Sequence, residues 1–123
     1  MKETKNIKIL VLDDSQARLD IFQRNIKKGL DAATIYVKTA RDAIGVLEVN
    51  KNFDYIFLDR DLGEGVPTGE DVVDFLIENS YPIEKVGIII HSWNIPAGKR
   101  MHERLLSAGF NSIHQPGAWS ALG

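Results

Sequence analysis

Asp13 and Asp14 stand directly behind an apolar run, Ile7–Leu12. Asp59, Arg60 and Asp61 stand directly behind a second, at 54–58. A third run, at 86–90, is followed by His91, Ser92, Trp93 and Asn94, and a last one, at 111–114, by Gln115 and Pro116. Acids brought together in this way repel unless a cation neutralises them. Hard carboxylate oxygens suit Mg²⁺ (or Mn²⁺), ions that keep waters and meet phosphate oxygens. The pattern therefore points to a divalent-metal pocket that handles a phosphoryl group. The alternative is that the acids cap helices and solvate loop ends. Asp13, Asp14 and Asp59 each follow an apolar strand, and this favours the pocket.

The elements that must position these residues alternate along the chain. Short β-branched runs at 7–12, 33–38, 54–58, 86–90 and 111–114 read as strands, and the first, third and fourth have the continuous apolar character of strands buried on both faces. Between them apolar residues recur at helical spacing: Leu19, Phe22, Ile26 and Leu30; Ala40, Ala43, Ile44 and Leu47; Val72, Val73, Leu76 and Ile77; Met101, Leu105 and Ala108. Thr39 is placed to cap the second helix with Asp42 at capping-box distance, and Gly109 to end the fourth. The order βαβαβαβαβ predicts right-handed crossovers and a flavodoxin-like, doubly wound five-stranded parallel sheet, order 2-1-3-4-5. In such sheets ligands bind at the carboxyl ends of the strands, where the acids fall. Only residues 116–123 follow the last strand, too few for a full fifth helix. One sheet face is expected to be thinly covered, with Trp119 folding over it or meeting a partner.

The chain has 123 residues, with 15 Lys plus Arg against 17 Asp plus Glu and a formal charge of -2. That length predicts one domain over 1–123. The charge argues against a general nucleic-acid coat protein, though not against a nucleotide-sized ligand. With no cysteine, disulfides, thiolate metal sites and cysteine nucleophiles are excluded. No apolar run nears the roughly 18 residues of a membrane span, and the charged start does not resemble a secretory signal, so the expected location is cytoplasmic.

Leu12-Asp-Asp-Ser15, Leu58-Asp-Arg-Asp-Leu62, Gly69-Glu-Asp71, Ile90-His-Ser92, Gly109 and Gln115-Pro116 resemble the receiver domain of two-component response regulators, over about residues 7–116. The resemblance implies Mg²⁺ held by Asp13, Asp14 and Asp59 with the backbone carbonyl of Asp61, a phosphoacceptor at Asp59 and a switch hydroxyl at Ser92. Three features depart from it. Gln115 stands where receivers carry lysine, Gly63 stands where they carry proline, and the fifth helix is missing. Leu58-Asp-x-Asp-Leu-Gly63, His91-Ser92-x-Asn94, Gly98, Met101 and Arg18 are closer to a divergent receiver-like branch proposed to process cyclic phosphates on nucleotides or RNA ends.

That resemblance supports a mechanism. The metal polarises a phosphodiester oxygen, and a bound water or Asp59 attacks phosphorus. His91 protonates the leaving ribose oxygen. Ser92 and Asn94 donate to non-bridging oxygens, Gln115 gives a neutral donor, and Arg60 or Arg100 supplies the charge of the missing lysine. His91 and Ser92 both reach the pocket only if the strand ends by His91, since side chains alternate; otherwise His91 packs beside the fourth strand. Two rival readings follow: a receiver phosphorylated on Asp59 by a histidine kinase, and a non-catalytic binding module. The partners implied are a phosphate-bearing small molecule or RNA end, the kinase, and a homodimer or protein mate on the bare sheet face. Trp93 reads as a partly buried aromatic, with base stacking as the alternative. Asp31, Asp42, Asp54 and Asp74 read as caps or solvent-facing acids. Lys27 and Lys28 suit the end of the first helix. His102 reads as solvated, and His114 lies in or near the last strand.

Overall fold

The structure, a computed structural model, describes residues 7–29 and 32–117. Five strands are present: β1 (Ile7–Leu12), β2 (Ala32–Val37), β3 (Tyr55–Leu58), β4 (Gly87–Ile90) and β5 (Asn111–His114). Four helices connect them: α1 (Gln16–Gly29), α2 (Ala40–Val49), α3 (Gly69–Glu78) and α4 (Ile95–Ser107). All strand pairs are parallel and the order is β2-β1-β3-β4-β5, the doubly wound arrangement expected. Leu30, Asp31 and Trp119 lie outside the described residues, as does the tail beyond Gly117.

Strand alternation divides the core. Leu10, Leu12, Ile56, Leu58, Ile88 and Ile90 pack against α2, α3 and α4. Ile9, Val11 and Phe57 face Leu19, Phe22 and Ile26 of α1 in a smaller cluster. On this second face Tyr55 and Ile113 are exposed, so among the described residues α1 covers only part of it.

The helix starts follow from local chemistry. Thr39 accepts from the Asp42 N–H, and Thr68 and Asp71 form a reciprocal capping box. Helix α4 begins earlier than its apolar spacing indicates, because Asn94 caps it and Pro96 sits in the first turn. Asp74 pairs with Arg104 at 2.6 Å. Asp54 departs from its reading as a solvent-facing acid. It is buried, accepts the Lys8 N–H at 2.9 Å and anchors the amino edge of the sheet. His102 also departs from its solvated reading, since its Nδ1 lies 3.0 Å from the Ser112 hydroxyl and links α4 to β5.

Candidate functional site

The parallel ladder continues one rung past the strand ends. The Asp13 N–H donates to the Val37 carbonyl, Asp59 to Leu12, His91 to Leu58 and Gln115 to Ile90. Leu12, Leu58 and Ile90 are in register and face the larger core. The next residue on each strand must therefore turn to the α1 face. This places Asp13, Asp59 and His91 in one row, with ligand atoms all within 4.8 Å of one another. All three are buried. Helix α1 covers that face, and its first turn delivers Arg18. Ser15 starts the helix, its hydroxyl accepting the Arg18 N–H at 3.3 Å.

Asp13 receives four donors. The Ser15 N–H reaches Oδ1 at 2.9 Å, and Arg18 Nη2 reaches the same oxygen at 2.8 Å. Arg18 Nε and His91 Nε2 reach Oδ2 at 2.8 and 3.0 Å. Burial raises the Asp13 pKa, but the bonds from His91, Arg18 and Ser15 outweigh it and hold the carboxyl below its usual range. Asp59 lies beside this group with fewer donors. Its Oδ1 accepts the Arg60 N–H at 2.9 Å, and its Oδ2 is 3.4 Å from Arg18 Nη2. Burial drives its pKa up and the neighbouring Asp13 charge adds to this. His91, Arg18 and the Arg60 N–H offset the rise in part, leaving a value of about 6. Arg18 Nη2 is also 3.5 Å from Asp14, whose side chain is partly exposed at the rim. The bond to Asp13 raises the Arg18 pKa further, so this cation is permanent.

His91 is walled by aromatic rings. Phe22 lies edge-on at 5.1 Å between centroids and Phe57 is tilted at 6.5 Å. Its Nε2 is engaged with Asp13, and its buried Nδ1 has no partner among the described residues. Strand β4 ends at Ile90, which is the condition that brought both His91 and Ser92 to this edge. The imidazole stands behind Asp13, however, and the N–H it directs there is committed to that carboxylate. In this geometry His91 orients the Asp13 carboxylate through Nε2. Ser92 is buried at the same edge, its Oγ accepting the Asn94 N–H at 3.1 Å. His114 Nε2 donates to the Ser92 carbonyl at 3.2 Å, and its ring lies against Gly98, where a Cβ would strike it.

The remaining candidates form an outer group. Arg60 directs its guanidinium to Asp61 at 2.8 Å and Glu70 at 3.1 Å, away from the Asp59 carboxylate. Arg100 grips Glu70 through Nε and Nη2, each at 2.8 Å. Glu70 thus engages both arginines that were expected to supply the charge of the missing lysine. The bonds from Arg100, then Arg60, outweigh burial and bring the Glu70 pKa to about 2. Asn94 caps α4 through Oδ1 and reaches Asp61 through Nδ2 at 3.3 Å. Gln115 is exposed, held by its backbone. Trp93 is 65% exposed, against its reading as partly buried, with its ring edge near Gly117. Gly69 packs so closely on the Asp59 carbonyl that a Cβ there would overlap it, which fixes α3 under the β3 end.

Whether these donors fit a divalent ion turns on Asp13. A carboxylate has about four lone-pair sites, and here all four meet a donor. Two carboxylates and an imidazole are a donor set that can hold a metal. As arranged they are organised around Arg18, and an ion would have to displace it. Asp61, expected at the metal through its backbone carbonyl, turns its carboxylate to Arg60 and Asn94.

A five-stranded 2-1-3-4-5 sheet with buried acids at the β1 and β3 ends defines the class: a receiver-type domain. The family model described as "Cyclic-phosphate processing Receiver domain" matches residues 8–107, and the chain belongs to that family. Among solved structures it is similar to the signal receiver domain of a putative Luxo repressor protein from Vibrio parahaemolyticus, at 25% identity and TM-score 0.67, covering 96% of this chain and 85% of that one. It is also similar to a CheY-like receiver domain protein from Methanospirillum hungatei JF-1, at 20% identity and TM-score 0.63, covering 96% and 88%. The Mn²⁺-bound form of response regulator Rcp1 matches at 19% identity and TM-score 0.63, covering 89% and 80%. A comparison with curated proteins finds no match. No helix among the described residues is long and apolar enough to cross a membrane.

Proposed function

We propose that this domain processes cyclic phosphates, of nucleotides or RNA ends, at the Asp59 carboxylate. The observation that carries the reading is a buried carboxylate held at about 6 beside a permanent cation, Arg18. A general base works best when its pKa lies near the operating pH. Asp59 takes a proton from a water as that water attacks phosphorus. The bond from phosphorus to one ribose oxygen breaks, and the proton passes from Asp59 to that oxygen, leaving a phosphomonoester. Arg18 offsets the charge that gathers on the phosphoryl oxygens. Its Nε and Nη2 are engaged with carboxylates, and its Nη1 takes no part in those bonds. Asp13 and, behind it, His91 orient the guanidinium. Trp93, exposed beside Ser92, offers a face on which a base could stack. The resemblance assigns Mg²⁺ or Mn²⁺ to Asp13, Asp14, Asp59 and the Asp61 carbonyl; such an ion would polarise a phosphate oxygen, and no step above depends on it.

A second reading is a receiver that accepts a phosphoryl group on Asp59 from a histidine kinase. Its support is the placement of Asp59 and Ser92 at adjacent strand ends. A ³¹P NMR time course with a 2′,3′-cyclic nucleotide and, in parallel, acetyl phosphate separates the readings. Catalytic loss of the cyclic resonance supports processing. A stoichiometric acyl phosphate with the cyclic nucleotide untouched supports the phosphoacceptor, and silence in both supports a binding module.

A further inference from the structure

We propose that Arg18 replaces the divalent cation of the acidic pocket, so that the guanidinium and a metal ion exclude one another at Asp13 and Asp59. The inference concerns occupancy alone and stands apart from the reaction proposed above.

Three observations carry it. The first is valence. Both Asp13 oxygens accept from Arg18, and the other two lone-pair directions are taken by the Ser15 N–H and His91 Nε2. An ion approaching Asp13 must remove a donor. The Ser15 N–H belongs to the backbone at the α1 start, and the His91 ring is buried between two phenylalanines, so Arg18 is the one that can leave. The second is charge. One nitrogen, Nη2, stands within hydrogen-bond or ion-pair distance of Asp13, Asp59 and Asp14, at 2.8, 3.4 and 3.5 Å. It occupies the point where the three carboxylates converge, which is the point an ion would need. The third is fit. A guanidinium fork matches one carboxylate with two parallel bonds and sheds water more readily than an ammonium or Mg²⁺. It is suited to a pocket in which Asp13 and Asp59 are buried.

Among the described residues the other arginines near this edge are engaged elsewhere. Arg60 and Arg100 are both held by Glu70. Within the pocket Arg18 is thus the resident counter-charge, and the pocket is complete without an ion.

The test is a Mn²⁺ titration followed by electron paramagnetic resonance at neutral pH. It compares the wild type, Arg18→Gln, and Arg18→Gln combined with Asp13→Asn. Removing the guanidinium frees two acceptor sites and one opposing charge. Arg18→Gln is expected to bind Mn²⁺ at least about tenfold more tightly than the wild type, and the added Asp13→Asn to abolish the gain. Equal affinity in the wild type and Arg18→Gln, or no binding in either, overturns the proposal. So does a gain that survives Asp13→Asn. Should Arg18→Gln fail to fold, the wild type alone decides. Its Arg18 Nε–H resonance is followed by NMR up to ~10 mM Mg²⁺, and a resonance that holds its position supports the proposal. Saturable displacement of that signal at lower Mg²⁺ overturns it. Turnover of a cyclic phosphate is not needed for any of these readouts, so failure of the proposed reaction and failure of this proposal are separate results.

Discussion

Two clusters of arginine and acid stand a few residues apart in this molecule and behave in opposite ways. In the inner one, Arg18 serves Asp13, Asp14 and Asp59. In the outer one, Arg60 and Arg100 serve Glu70, with Asp61 beside them. The inner cluster has more acids than bases, and its Asp13 and Asp59 are buried; the outer one has bases enough, and its Asp61 and Arg100 are exposed. Burial and a surplus of negative charge push Asp59 up to about 6, whereas two cations pull Glu70 down to about 2. The same residue types thus give a poised carboxylate in one place and a structural tie between α3, α4 and the β3 end in the other. Sign of local charge balance and access of water decide which.

The comparison breaks most sharply at Asp59. Asp59→Asn is expected to lower cyclic-phosphate turnover by about 10³-fold, in line with loss of a general base, as read by ³¹P NMR. The same variant should be more stable than the wild type above neutral pH. The folded pKa of Asp59 is raised from 3.8 to about 6. Its contribution to stability is therefore full below 3.8 and lost as pH rises through about 6. The advantage of Asn is expected to be about 2–3 kcal/mol at pH ~8 and to vanish near pH ~4 in urea melts. If the two proteins track each other with pH, Asp59 is not perturbed and the contrast fails.

His91→Ala tests the inner cluster from behind. It removes a buried ring and one of the four Asp13 donors, at an expected cost of about 2–4 kcal/mol by denaturant titration. His91→Gln, which can still donate to Asp13, should recover part of both stability and turnover. Recovery of fold without turnover would favour the role of acid for His91.

The outer cluster should respond weakly. Glu70→Gln is expected to cost about 0.5–1 kcal/mol at neutral pH, since the arginines that hold Glu70 are partly in water. The sign is opposite to that of Asp59. The Glu70 pKa is lowered from 4.5 to about 2, so its contribution is present above 4.5 and lost as pH falls through about 2. Thermal melts at successive pH values should show the difference from wild type closing over that range. Smallest of all, Trp93→Ala should leave stability within about 0.5 kcal/mol and raise KM for a cyclic nucleotide several-fold without lowering kcat, consistent with a stacking face at the rim.

Much of this was legible in the residues. The apolar runs gave the strands their places, and Thr39 and Gly109 marked helix ends as local chemistry requires. Asn94 carried a signal that its candidacy for the pocket obscured: an Asn two residues before a proline is a helix start, and here it is one. The shared row of Asp13, Asp59 and His91 was also implicit, because in-register parallel strands send every second residue to one face. Arg18 was visible only as a resemblance, and Glu70 only as part of the Gly69-Glu-Asp71 stretch, with no role. Their partners lie on elements far away in the sequence, and no local pattern encodes which long side chain reaches which acid.

The sequence by itself determined the alternation of elements, the sheet order and the gathering of acids at the carboxyl edge. Hydrophobic periodicity and the handedness of crossovers leave little freedom in those. Tertiary structure decided which cation enters the pocket, which way His91 turns its bonded nitrogen, and whether Trp93 is covered. Those outcomes rest on burial and on distances of a few ångströms between residues of different elements. Charge chemistry in a protein depends on such distances, and they exist only once the helices have settled on the sheet.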